Sequence, residues 1–207
     1  DLSHVSPATM HDALDVSEAP IMFSHSSARG GTDHPRNVPD DVLRRMPENG
    51  GIVMITLVPG FISSRIREHE AREQAARTRF QADGAGPEET NRRLQEWRRE
   101  NPAPQATMDD FIAHIEHAKR VAGIDHIGLG ADYDGITSVP VGLEDVSTYP
   151  ALLAELARRG WSDEEMAKLA GENMLRVMRE AEAAARRIQR QRGPSLATIE
   201  ELDGVRP

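Results

Sequence analysis

At 207 residues the chain is long enough to bury a sizeable core as one unit, and with 38% hydrophobic and 29% charged residues it is globular rather than disordered. A formal net charge of −9 argues against a nucleic-acid partner. Without cysteine, disulfides, thiolate zinc sites and cysteine nucleophiles are excluded, while the compartment stays open.

Ser6 followed by Pro7 predicts an N-cap and a first helical turn, and Met10, Ala13 and Leu14 supply the apolar face. Ala19-Pro20 ends that helix. Ile21–Phe23 then has the length of a buried strand and stops at Ser24-His25-Ser26, before a polar loop over residues 27–37. Pro39 with Asp40-Asp41 opens a second helix, with Val42, Leu43 and Met46 apolar and Asn49-Gly50-Gly51 as the stop. Residues 52–58 are almost wholly apolar, as in a strand buried on both faces of a parallel sheet. They are far too few to span a bilayer, so membrane association is not visible in the chain.

From about residue 63 to 104 Arg, Glu, Gln and Ala dominate, with a break at Asp83-Gly84-Ala85-Gly86-Pro87. This predicts two charged, solvated helices inserted into the main pattern. Thr107 with Asp110 has the form of a capping box, Phe111, Ile115, Ala118 and Ala122 make one helical stripe, and Gly123 closes it. Ile127–Gly130 reads as a strand running into Ala131-Asp132-Tyr133-Asp134-Gly135. A second capping box, Ser162 with Glu165, leads into Met166, Leu169, Asn173 and Val177. Beyond residue 180 the chain turns charged and then proline-containing, as in a surface strap or partly disordered tail.

Alternating strands and helices are the pattern of a parallel α/β protein. The end of one strand plus three complete strands make half of a (β/α)8 TIM barrel, which needs about 250 residues when whole. The predicted organisation is a partial barrel over residues 1–180, carrying the helical insertion, and a tail over 181–207.

In such barrels reacting groups sit at the C-terminal ends of strands. His4, His25 and Asp132 each end a strand here, and the two histidines are one βα repeat apart, on neighbouring strands. Neutral imidazoles there can share a metal ion, although a catalytic zinc needs about three protein ligands. Arg36, in the loop after the second strand, has the chemistry of a bidentate carboxylate clamp. Asp132 can hold an ammonium group or handle a proton, with Asp134 as the competing position. His114 and His117 lie three apart on a helix without the HExxH pattern and read as surface residues. His11, His34, His69 and His126 have no partner that the sequence names.

Six short motifs occur in order: Asp1-Leu2-Ser3-His4-Val5-Ser6, Ser24-His25-Ser26-Ser27-Ala28-Arg29, His34-Pro35-Arg36-Asn37-Val38-Pro39-Asp40-Asp41, Gly128-Leu129-Gly130-Ala131-Asp132-Tyr133-Asp134-Gly135, Gly142-Leu143-Glu144-Asp145-Val146-Ser147-Thr148-Tyr149-Pro150 and Gly171-Glu172-Asn173-Met174-Leu175-Arg176-Val177. In order and spacing they resemble the C-terminal half of the renal or membrane dipeptidase family, peptidase family M19, in a microbial-type member.

The resemblance implies a (β/α)8 hydrolase with two zinc ions that cleaves dipeptides, often tolerating a D-residue at the C-terminal position. It implies that His4 and His25 bind one of the two zincs, and that Arg36 binds the substrate carboxylate. Asp132 would then lie near the substrate amine and the attacking water. Family members can carry a tyrosine near the position of Phe61, so a hydroxyl contact is expected to be lost there. The family's remaining ligands belong upstream of Asp1, so activity is expected only with that half present. Another amidohydrolase-type reaction and an inactive half-barrel are the alternatives. Small dipeptides are the expected partners, a homodimer is one assembly the resemblance admits, and a periplasmic or secreted location is favoured over a cytoplasmic one.

Overall fold

The structure, a computed structural model, describes residues 1–204; the last three residues of the predicted tail, 205–207, lie outside them. Helix α1 (Pro7–Val16) starts as predicted: Ser6 is extended and its hydroxyl accepts the Thr9 amide, while Met10 and Leu14 are buried. Strand β1 (Met22–Phe23) is brief. The predicted second helix is two, α2 (Asp40–Leu43) and α3 (Met46–Asn49). Pro47 lacks an N–H and cannot continue the ladder of the preceding turn, so the helix breaks at Arg44-Arg45. Strand β2 is Ile52–Ile55, shorter than the predicted apolar run, and a one-turn helix α4 (Pro59–Ile62) follows.

The insertion forms two helices, α5 (Ser64–Ala82) and α6 (Pro87–Glu100). They pack on each other instead of standing free in solvent. Ala76, Thr90 and Leu94 are buried, the Nε2–H of buried His69 meets the Asn101 carbonyl at 2.9 Å, and Arg98 pairs with Glu73 at 2.6 Å.

Helix α7 (Met108–Ala122) has both arms of its capping box, from Thr107 and Asp110, and leads to β3 (Ile127–Leu129). Helix α8 (Tyr149–Arg158), which the sequence left unassigned, precedes α9 (Asp163–Ala167), capped by Ser162 with Glu165. A π-type turn over Lys168–Glu172 joins α9 to α10 (Asn173–Gln189). Helix α10 runs through residue 180, so the first part of the predicted tail is ordered helix; Ala184 is buried and Arg187 pairs with Glu18 at 3.2 Å. Only after it does the chain become an exposed tail, with the short α11 (Ile199–Asp203). No helix among the described residues is long and apolar enough to cross a membrane.

The three strands are parallel, in the order β1-β2-β3, with Phe23 beside Val53 and Val53 beside Ile127. Residues 1–4 lie along β1, where the Leu2 amide donates to the Met22 carbonyl at 2.8 Å. Residues 1–4 and the three strands therefore follow one another in chain order, as one arc. Phe23, Val53, Ile55 and Ile127 are fully buried in one core with Met10, Val42, Leu43, Phe111 and Ile115 from the helices. At the C-terminal end of β3 the backbones approach so closely that a Cβ on Gly130 would lie 2.2 Å from the Ser24 carbonyl oxygen, so no larger residue fits.

A candidate metal and carboxylate site

His4 and His25 end adjacent strand segments, and their Nε2 atoms are 2.7 Å apart. His4 has a positive φ of 93°, which turns its ring toward His25. The protonation of His25 follows from its neighbours. The Ser24 hydroxyl gives its proton to Asp1 Oδ2 at 2.5 Å, so it accepts the Nδ1–H of His25 at 2.7 Å. That leaves the Nε2 lone pair of His25 facing His4, the tautomer a metal needs, held by a relay of the kind that orients ligating histidines. Burial, then Arg36 and His25, holds His4 below the usual imidazole value, while Asp132 acts in the opposite direction. A neutral imidazole is the ligating form. Two imidazole nitrogens can fill half of a four-ligand zinc shell once their 2.7 Å separation opens to the roughly 3.3 Å that tetrahedral zinc requires. Among the described residues no cluster of three or more histidine and carboxylate groups completes one.

Arg36 is held by its own loop. Its amide donates to His34 Nδ1 at 3.1 Å, the His34 ring stacks on Phe61 at 4.2 Å, and the guanidinium carbon lies 5.3 Å from the centre of the Phe61 ring. Phe61 thus supplies a face in place of the hydroxyl the resemblance associates with that region. Burial and the fields of Arg67, Arg36 and Arg29 push His34 down to about 4, so it is neutral near pH 7. The Arg36 Nε and Nη2 atoms are buried and have no partner among the described residues. Burial lowers the Arg36 pKa, against the field of Asp132. An interior guanidinium with two free donors is strained toward an anionic acceptor, and a carboxylate matches its fork.

Asp132 ends β3 with φ 66° and is half-buried, whereas Asp134 is exposed. The field of Asp132 reaches both His4 and Arg36, which places it with them at the mouth of the arc. The structure therefore gathers all four predicted residues at one end of the sheet.

The other histidines depart from expectation. His114 is not a surface residue: it is 1% exposed and contacts the loop that carries Arg36. His117 is mostly covered and pairs with Asp40 at 2.8 Å. The four left without partners also have them. His11 bonds Asp41, His34 takes the Arg36 amide, His69 donates to Asn101, and His126 donates to the Gly51 carbonyl at 2.8 Å. Asp1 and Ser24 were missed as members of the site; the only sequence signal was their adjacency to the two histidine motifs.

Comparison with known proteins identifies the family. Residues 1–192 match Membrane dipeptidase (Peptidase family M19). Two uncharacterized dipeptidases of Schizosaccharomyces pombe are similar. One is 47% identical over 184 residues, covering 88% of this chain and 36% of the relative. The other is 40% identical over 195 residues, covering 94% and 38%. Among solved structures, the probable dipeptidase PvdM of Pseudomonas aeruginosa superposes with a TM-score of 0.75 at 26% identity, over 89% of this chain and 50% of that one. A metallo peptidase of Rhodobacter sphaeroides, liganded with a phosphinate mimic of the dipeptide L-Ala-D-Ala, has a TM-score of 0.66 at 25% identity, over 87% and 42%. The chain spans little more than a third of the length of these curated relatives. It belongs to the membrane dipeptidase family, peptidase family M19.

Proposed function

We propose that this chain supplies half of the active site of a zinc-dependent dipeptidase, the other half coming from residues that complete the arc into a (β/α)8 barrel. The observation that carries the reading is the buried, unpartnered Nε and Nη2 of Arg36, at the same end of the sheet as two imidazole nitrogens 2.7 Å apart. Two zincs per complete site would be held there, one of them by His4 and His25. The chemistry they contribute when bound is activation of water near neutral pH.

The chain's own residues do the rest. Arg36 grips the free C-terminal carboxylate of the substrate through its two open donors, with Phe61 and His34 fixing the height of the guanidinium. The Asp132 carboxylate lies by the substrate ammonium, accepts the proton that the attacking water gives up, and passes it to the departing amine as the C–N bond breaks. A site that grips both termini selects dipeptides over longer peptides. The phosphinate mimic bound by the Rhodobacter sphaeroides relative supports acceptance of a D-residue at the C-terminal position. The 207 residues alone hold too few metal ligands to be active.

The test is Arg36→Ala in the complete enzyme. Loss of a buried charge-assisted pair is worth about 2–5 kcal/mol, so KM for Ala-Ala should rise at least about 30-fold. An unchanged KM would point instead to another amidohydrolase-type reaction.

A further inference from the structure

We infer that His114 is a positioning residue for Arg36, setting from beneath the loop where the guanidinium meets the substrate carboxylate, given the reading of Arg36 as the carboxylate anchor. His114 sits in the middle of α7 and does not belong to the mouth of the arc. Its Nδ1 accepts the Ala28 amide at 3.2 Å, and its Nε2 lies 3.2 Å from the Thr32 hydroxyl. Because Nδ1 accepts, Nε2 carries the proton and donates to Thr32. One ring therefore spans the start of the loop and its turn.

From Thr32 the connection continues inward. The Thr32 carbonyl accepts from Asn37 Nδ2 at 2.9 Å, and the same amide nitrogen donates to the Phe61 carbonyl at 2.7 Å. Arg36 precedes Asn37 in the chain and lies over the Phe61 ring. His114, Thr32, Asn37 and Phe61 thus form one hydrogen-bonded frame on which Arg36 rides. Ala28, Thr32, Asn37 and His114 are each 3% exposed or less. Each bond of such a frame holds the loop in register, so losing one arm moves the loop.

Two further observations fit a positioning role. Gly31 is seated directly on the imidazole, where a Cβ would lie 2.7 Å from the ring. A cavity of about 180 Å³ beside it, lined by Gly31, Thr32, Ile62, Ser63, Arg65 and His114 among others, gives a released loop room to collapse. Burial also pushes His114 down to about 4, so the ring keeps its Nδ1 acceptor across the neutral range.

The experiment compares Ala-Ala with its C-terminal amide as substrates of the complete enzyme. His114→Asn and Thr32→Val each remove the Nε2–hydroxyl arm. Each should raise KM for Ala-Ala about tenfold, with kcat within about twofold and KM for the amide unchanged. Thr32→Ser should restore the wild-type value, and the double variant should be no worse than either single one, because both remove the same bond. Gly31→Ala should give the same phenotype through the ring without altering a polar group, which covers the case in which Thr32→Val does not fold. A KM that rises equally for both substrates, or a fall in kcat alone, overturns the inference. If the wild-type enzyme cleaves the amide as readily as Ala-Ala, the carboxylate reading of Arg36 fails first, and this inference with it.

Discussion

Ser24 decides which nitrogen of His25 faces the site. A hydroxyl has one proton, and the carboxylate of Asp1 takes it, so the imidazole must donate in return. The free nitrogen lone pair of His25 is therefore set by the residue before it in the chain. His114 carries a different consequence, for stability in acid. Its folded pKa is about 4, set first by burial and then by His117, with Asp110 and the Ile62 carbonyl opposing, against an ordinary value of 6.5. The folded state thus binds fewer protons than the unfolded state between those values. The contribution of His114 is complete above about pH 6.5 and is lost as pH falls toward 4, a change of about 3 kcal/mol. Urea unfolding of the complete enzyme at pH 7 and pH 4.5 should show a loss that His114→Asn reduces by about 2 kcal/mol. Equal losses in both proteins would contradict it. At this scale the sequence marked His4, His25, Arg36 and Asp132 as candidates, through strand-end position and motif context, and the structure places them at one end of the sheet. It hid His34 and His114, whose roles depend on packing. His114 meets Thr32 across 82 positions, and a histidine on an apolar helix face carries no mark of such a partner.

Capping boxes, strand runs and the charged insertion were all legible as elements, because each is specified within a few residues. The break at Pro47 and the continuation of α10 past residue 180 were less so. The first turns on one missing N–H, and the second on a charged helix whose Arg187 finds Glu18 in another part of the chain. Helix α10 does more than cover the sheet. Asn173 Nδ2 donates to the Ile124 and Ile127 carbonyls at 2.7 and 2.9 Å, and Arg176 donates to the Gly50 and Asp125 carbonyls at 2.7 and 2.8 Å. These contacts are at the N-terminal ends of β2 and β3, the end of the arc opposite the candidate site. In barrels that face serves stability. Asn173→Ala removes the side-chain donor from one buried and one part-buried carbonyl, and should cost about 1–3 kcal/mol of unfolding free energy while kcat and KM stay within about twofold. A changed KM with an unchanged denaturation midpoint would mean the clamp communicates with the mouth.

At the scale of the whole molecule, the arc has two open sides. Residues 1–4 border one, and β3, hydrogen-bonded to β2 alone among the described strands, borders the other. Unpaired strand edges recruit other strands. The 207 residues expressed alone should therefore elute above monomer mass in size-exclusion chromatography with light scattering. Co-expression with the remaining part of the protein should return one species of stoichiometric mass. A cooperative, monomeric melt of the isolated chain would contradict this. The half-barrel reading came from counting strands in the sequence. How the arc closes is not legible from these strands, since closure is set by residues on both sides of an edge.

The clamp on α10 also bears on the order of events during synthesis. Arg176 reaches back 126 positions to Gly50, and Asn173 reaches back 46 to Ile127. Strands β2 and β3 emerge from the ribosome long before the residues that tie their starting ends together. Contacts of such long sequence separation form late and slowly. Until translation passes Arg176 the base of the nascent sheet is unfastened, and partly folded surface of that kind is prone to aggregate.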